Sequence, residues 1–150
     1  MTLRLGLLAA IALVNAYLLG VLVVFQRVDY PLLGVVARAD FPAHYAAFTS
    51  KIPLPVVLPE FVALVSVVPL FWIRPARLTA WPVWLGLAAG IGYMAITFGW
   101  HLRVHAVLAT GDNSPPVIDA LLASNGARTW LQAAKCVLLA WMVARSSAVA

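Results

Sequence analysis

The first long apolar run of the chain reads LRLGLLAAIALVNAYLLGVLVVF, residues 3–25, and it decides the fold class. An α-helix needs about 20 consecutive apolar residues to cross the hydrocarbon core of a bilayer. Asn15 is the strongly polar residue inside this run, and we expect its side chain to hydrogen-bond to a neighbouring helix. The run is longer than the apolar region of a secretory signal peptide, so we interpret it as a retained first transmembrane helix.

The rest of the chain is nearly as apolar. Of its 150 residues, 64% are hydrophobic and 10% are charged, whereas roughly a quarter of the residues in a soluble domain are charged. Lipid must therefore solvate most of the exterior. The net charge of +5 arises from scattered Lys and Arg residues. In so apolar a chain they indicate membrane topology and contact with anionic lipids, not with nucleic acid.

Helix breakers divide the chain into four predicted transmembrane helices, at about residues 3–25, 54–73, 79–100 and 117–144. We therefore predict an all-α, four-helix membrane bundle that forms a single domain over residues 1–150. Residues 27–52 form a long first connection, in which Pro42 opens a short interfacial helix that ends near Ser50. The third predicted helix contains Gly86 and Gly90 in GxxxG spacing, which favours close packing within the chain or a homodimer.

Charged residues near the helix ends predict the orientation. The termini and the short second connection carry basic residues without acids, namely Arg4, Arg74, Arg77 and Arg145, whereas the longer connections mix both signs. The numbers of Lys and Arg are nearly equal on the two sides of the membrane, so the prediction depends on the absence of acidic residues from the side with the termini. We expect both termini to lie in the cytoplasm.

Predicted helix four carries a polar stripe, because Asn125, Arg128, Gln132 and Lys135 are spaced by three and four residues. Such a stripe is costly in contact with lipid and should face the interior of the bundle. Glu60 is the acid within an apolar run, and it lies at a similar depth. We therefore expect a buried ion pair between Glu60 and either Arg128 or Lys135.

The three histidines gather at the face of the bundle with the long connections. His101 and His105 are four residues apart and share one side of predicted helix three, while His44 lies in the interfacial segment. Three interpretations stay open: interfacial side chains that reach water, groups for proton transfer or substrate binding, and ligands of a metal ion or haem. A metal would need further ligands, which His44 or Glu60 can supply.

Short segments spread over nearly the whole chain carry a resemblance: Gln26–Pro31, Phe41–Tyr45, Pro59–Glu60, His105–Leu108 with Gly111–Asp112, and Asn125–Trp130. They resemble a loose group of small four-helix bacterial membrane proteins related to the anthrone oxygenase-like family. The resemblance implies a bacterial inner membrane protein that oxidises an aromatic, polyketide-like or other hydrophobic substrate. Phe48 or its neighbours stand where the group often has a second histidine, which counts against a metal site using that position.

The leading hypothesis is a membrane-embedded enzyme, of oxidoreductase or oxygenase type, with a polar pocket for a hydrophobic small molecule. Glu60 or a histidine would accept a proton, and Arg128 with Lys135 would stabilise negative charge. The expected catalytic residues are Glu60, His101, His105, Arg128 and Lys135, and the expected substrate contacts are Gln26, Tyr30, His44, Tyr45, Asn125 and Gln132. The alternatives are a small binding or transport module and an accessory subunit without catalysis.

Overall fold

The computed structural model describes residues 3–74 and 78–147, and all regular secondary structure in these ranges is helical. In chain order the helices are α1 (Leu3–Val35), α2 (Phe41–Ser50), α3 (Pro53–Val65), α4 (Leu70–Ile73), α5 (Trp81–Ala109) and α6 (Pro115–Ser147). The all-α prediction is confirmed for these residues. Arg77, one of the residues on which the predicted orientation depends, lies outside them.

Two of the described helices, α1 and α5, are long and apolar enough to cross a membrane. The pair α2 and α3 is bent by 47° and makes a third candidate if it is counted as one broken span. The exterior is also apolar, and the side chains of Trp72, Trp84 and Trp130 are 73%, 60% and 79% exposed. Since water would solvate such a surface poorly, the described chain is consistent with a membrane protein.

Helix α1 does not end near Phe25, as predicted, but continues to Val35. Phe25, Tyr30 and Leu33 are all buried, so the packed face of the helix extends past the polar residues that mark its predicted end. The predicted connection at residues 27–52 is therefore wrong. Only residues 36–40 separate α1 from α2, and α2 itself confirms the short helix predicted before Ser50.

The described helices contain three π turns, at Phe25–Asp29, Pro53–Val57 and Thr97–His101. Pro31 and Pro59 follow the first two, and neither can donate the usual hydrogen bond to the carbonyl four residues earlier. The helix instead widens, and the amides of Tyr30 and Leu58 donate five residues back. In the third turn, the Thr97 hydroxyl donates to the Tyr93 carbonyl at 2.9 Å.

The second predicted helix, residues 54–73, is broken. Its α3 part ends at Val65 and α4 begins at Leu70, because Pro69 has no amide with which to continue the helix. The amide of Val67 turns to the carbonyl of Leu64, at 3.4 Å. The third and fourth predicted helices, in contrast, are longer than expected, since α5 reaches Ala109 and α6 spans residues 115–147.

Helix α6 packs along α1 and α5, and the buried side chains form three layers. One end, called the aromatic end below, contains Phe25, Tyr30, Phe41 and Tyr45 among aliphatic residues. The buried residues of the opposite end are all aliphatic side chains or methionine, namely Leu8, Val67, Leu70, Val83, Leu139 and Met142. The aromatic end lies next to the connections at residues 36–40 and 110–114, which Asn113 ties together by donating to the Leu33 and Val36 carbonyls. The Ser114 amide donates to Asp112 in the same loop and lowers the pKa of its carboxyl group.

Gly86 and Gly90 are buried within the chain. A Cβ atom on Gly86 would lie 3.7 Å from Val67 Cγ1, and one on Gly90 would lie 3.0 Å from Leu64 Cδ1. The close approach that their spacing predicts therefore joins α5 to α3 and the turn that follows it. The chain's own side chains pack against both glycines, which agrees with the predicted close packing within the chain, and the homodimer stays a prediction.

We expect Gly90→Leu to lower the thermal unfolding midpoint in detergent, because the added side chain collides with Leu64. Overpacking of this kind costs about 1–3 kcal/mol. The matched control is Gly20→Leu, since Gly20 is an exposed helical residue and a Cβ atom added there would meet nothing within 4 Å. Equal midpoints for the two variants would contradict the packing assigned to Gly90.

Candidate functional site

A cavity of about 310 Å³ lies at the aromatic end, between α1, α2, α3, α5 and α6. Its apolar wall is formed by Leu22, Phe25, Ile52, Pro53, Val56, Val57 and Leu102. Its polar lining consists of Tyr30, Tyr45, Thr49, Glu60, Thr97, His101, His105 and Arg128. An apolar wall facing convergent polar groups is typical of a site for a small organic molecule, and here the polar side is unusually well populated.

His101 and His105 face each other in this cavity, with their Nε2 atoms 3.1 Å apart. The Tyr30 hydroxyl lies 3.2 Å from His101 Nε2. The opposite sides of the rings are also held, because His101 Nδ1 lies 2.8 Å from Ser124 Oγ and His105 Nδ1 lies 2.6 Å from the Tyr45 hydroxyl. The two histidines share one side of the helix, as predicted, and their hydrogen-bond partners hold both rings in place.

Glu60 and Arg128 form the predicted buried ion pair. The Tyr93 hydroxyl donates to Glu60 Oε1 at 2.5 Å, and Arg128 Nη2 donates to both Glu60 Oε1 and the Tyr93 oxygen. Three helices, α3, α5 and α6, meet in these contacts. Among the described residues, Arg128 Nε is a buried donor without a hydrogen-bond partner.

Lys135 does not join this group, and the expectation that it shares the pocket with Arg128 is wrong. Its Nζ atom donates to the Ala63 carbonyl at 3.2 Å, and it does not line the cavity. The break after Val65 explains this partner, because the amide of Val67 bonds to Leu64 instead of continuing the helical pattern to Ala63. Lys135 therefore stabilises the interrupted helix.

Three predicted substrate contacts, Gln26, Asn125 and Gln132, lie outside the cavity lining. Asn125 Nδ2 donates to Gln26 Oε1 at 2.8 Å and to the Leu22 carbonyl at 3.1 Å. Gln132 Nε2 donates to the carbonyl and side-chain oxygens of Asn15, at 2.9 and 3.1 Å. The interhelical bond predicted for Asn15 is confirmed, and these amides join α6 to α1 instead of reaching the cavity.

His44 is exposed and does not line the cavity that contains the other two histidines. Successive residues of an α-helix point about 100° apart, so the inward position of Tyr45 turns His44 outward. His44 instead lines a separate groove of about 730 Å³, with Asp29 and Lys51. Within residues 3–74 and 78–147, no group of three His, Cys, Asp or Glu residues is placed to hold a metal. The predicted metal site of His44, His101 and His105 is therefore wrong.

Tyr93, Thr97 and Ser124 belong to the site but were not predicted from the sequence. Ser124 lies four residues before Arg128, so the spacing of the polar stripe could have identified it. Tyr93 and Thr97 precede His101 by eight and four residues and share its face of the helix. Their spacing from His101 does not by itself indicate a site, because tyrosine and threonine are ordinary residues within apolar helices.

Comparisons of the chain with protein-family models, with curated proteins and with solved structures give no match.

We expect Arg128→Ala to lower the free energy of unfolding in mixed detergent micelles by about 3–5 kcal/mol, because it leaves the Glu60 carboxylate buried without a cation. Arg103→Ala removes an exposed arginine of α5 and should have little effect. The double variant Glu60→Met with Arg128→Met should lose less stability than Glu60→Met and Arg128→Met, measured separately, lose in sum. Strict additivity would contradict the ion pair.

Proposed function

We propose that this chain is a membrane-embedded enzyme that acts on a hydrophobic small molecule in the 310 Å³ cavity. The observation that carries the proposal is the convergence of two mutually contacting histidines, a tyrosine and a buried ion pair on one apolar-walled space. By contrast, the amide pairs that join α6 to α1 lie outside the cavity, and helix packing is a sufficient explanation for them. The groups that line it are those used for proton transfer and for stabilising charge.

The cavity suits a molecule with an apolar body and one polar end. Leu22, Phe25 and Val56 offer the apolar wall, while His101 and His105 offer nitrogen electron pairs at the polar end. These bases activate an acidic O–H group, or a C–H group next to a carbonyl. The proton leaves the substrate, and its electron pair remains as an enolate or phenolate.

Arg128 is the group that would stabilise such an anion. Glu60 already balances its charge, so its contribution would be the orientation of a guanidinium donor in the lining of the cavity. A donor that is held in place before the reaction needs no reorganisation when negative charge develops. Tyr93 and Glu60 hold the guanidinium in position and are positioning residues. The oxidoreductase class is supported by the resemblance to anthrone oxygenase-like proteins.

We also infer that α6 is a membrane span, which brings the bundle to four spans with α2 and α3 counted as one. Between residues 120 and 144, the exposed side chains of α6 are apolar, namely Ala123, Trp130, Ala134, Val137, Ala140 and Ala144. Its polar residues Arg128, Gln132 and Lys135 are at most 3% exposed. Lipid would therefore meet an apolar surface. The charge pattern and the resemblance support a bacterial inner membrane with cytoplasmic termini.

The topology predicts opposite results for two reporter fusions. Green fluorescent protein at the C-terminus should fluoresce, because the terminus is cytoplasmic, and alkaline phosphatase at the same position should be inactive. Both results should be reversed when the reporters follow Asn113 in the connection between α5 and α6. The same result at both positions would contradict a membrane-spanning α6.

We expect His105→Gln to retain a bound molecule that the wild-type protein converts. The apolar wall is unchanged, but a nitrogen electron pair is lost, and removal of an acid–base group slows a reaction by about 10²–10⁴-fold. Mass spectrometry of the molecules that co-purify with each protein should therefore show a different mass for the variant. The control is His44→Gln, which changes an exposed histidine outside the cavity and should match the wild type.

The same measurement separates the competing functions. One unchanged molecule in wild type and in His105→Gln would contradict the enzyme and favour a binding or transport module. Loss of stability in His105→Gln, with no small molecule bound to any of the proteins, would also contradict it and favour an accessory subunit.

A further inference from the structure

The contact between the two histidines has an unusual orientation. Each ring is held at Nδ1 by a side chain of another helix, Ser124 of α6 for His101 and Tyr45 of α2 for His105. Each ring then turns Nε2 toward the other, across 3.1 Å. Hydrogen bonding at one ring nitrogen with the other left free is how proteins usually orient metal-binding histidines.

The outer partners are compatible with hydrogen on both Nδ1 atoms. The Ser124 hydroxyl donates to the Leu121 carbonyl at 2.9 Å, which leaves its oxygen able to accept from His101 Nδ1–H. The Tyr45 hydroxyl lies 3.1 Å from the His105 carbonyl, and a hydroxyl that donates there can accept from His105 Nδ1–H. In this arrangement both Nε2 atoms carry electron pairs, which a shared cation would bind.

The separation of the two nitrogens fits a single metal ion. Metal–nitrogen bonds of about 2.0–2.1 Å combined with nitrogens 3.1 Å apart give an N–metal–N angle of roughly 100°. This angle lies between the values for tetrahedral and square or octahedral coordination. The Tyr30 oxygen, 3.2 Å from His101 Nε2, is at a separation expected for a third ligand of the same ion.

We propose that His101 Nε2, His105 Nε2 and the Tyr30 oxygen bind one divalent first-row transition-metal ion at the polar end of the cavity. Neutral imidazoles suit copper, zinc and iron, and Cu²⁺ has the highest affinity in this series. Binding releases the phenol proton of Tyr30 to water, and the resulting phenolate balances one charge of the ion. The remaining coordination positions face the cavity.

The metal site deepens the proposed function and rests on it in one respect, the location of the reaction centre at the histidine pair. It differs from the predicted metal site, because Tyr30 takes the place of His44. Glu60 is not among the proposed ligands, and its Oε1 atom accepts from Arg128 and Tyr93. The bound metal would polarise a substrate oxygen that coordinates it. In the metal-bound protein the electron pairs of His101 and His105 bind the ion, so the substrate proton would pass to water and not to a histidine.

The test is a titration of the full chain in nanodiscs with Cu²⁺, after removal of metals with a chelator. A Cys136→Ser background prevents the free thiol from reducing the probe. We expect one Cu²⁺ per chain, an electron paramagnetic resonance spectrum with hyperfine coupling to two imidazole nitrogens, and a phenolate-to-copper absorption band. His101→Gln and His105→Gln should each abolish stoichiometric binding, and Tyr30→Phe should remove the absorption band.

His44→Gln is the matched control and should bind like the parent protein, because His44 is exposed and outside the cavity. Ser124→Ala should weaken binding by about 10–100-fold, as loss of an outer hydrogen bond to a ligand does. Equal binding by the parent, His101→Gln and His105→Gln, or no stoichiometric binding by the parent, would overturn the metal site. The enzyme proposal would survive that result, because co-purified molecules and their conversion are measured separately.

Discussion

The inward polar face of α6 imposes the constraint on which the rest of the structure depends. In an apolar environment, buried polar groups that lack partners are costly, so the partners of this face must come from the other helices. Arg128 pairs with Glu60 of α3, Gln132 bonds to Asn15 of α1, and Lys135 bonds to the Ala63 carbonyl. These three contacts lie within residues 128–135 and hold the middle of α6 in register against its neighbours.

The positions of the residues that line the cavity depend on the same contacts and on the three π turns. The turns lie in α1, α3 and α5, and each contributes residues to the cavity lining. A π turn rotates the helix that follows it, and such turns often occur at functional sites. Here they bring Tyr30 and His101 into contact although the two residues belong to different helices. Two of the three turns have a local cause, because prolines follow them.

The division of the core supports a functional role for one end. Aliphatic residues such as Leu8, Leu139 and Met142 fill the end opposite the cavity, and they need no hydrogen bonds. Histidines, tyrosines and the ion pair gather at the other end, where they surround a cavity. A bundle that needed stability alone would gain little from this distribution, since buried ion pairs add little stability compared with apolar packing.

The sequence by itself determined the all-α class, the polar stripe of α6 and the pairing of Glu60 with a basic residue of that stripe. These features depend on composition and on helical spacing, which are local properties. Only the tertiary structure decided that Arg128 and not Lys135 is the partner, that α1 continues to Val35, and that His44 points away from His101 and His105. Each of these depends on the rotation of one helix against another, on the break that follows α3 or on a π turn. A shift of one residue turns a helical side chain by about 100°, so no spacing rule could specify them.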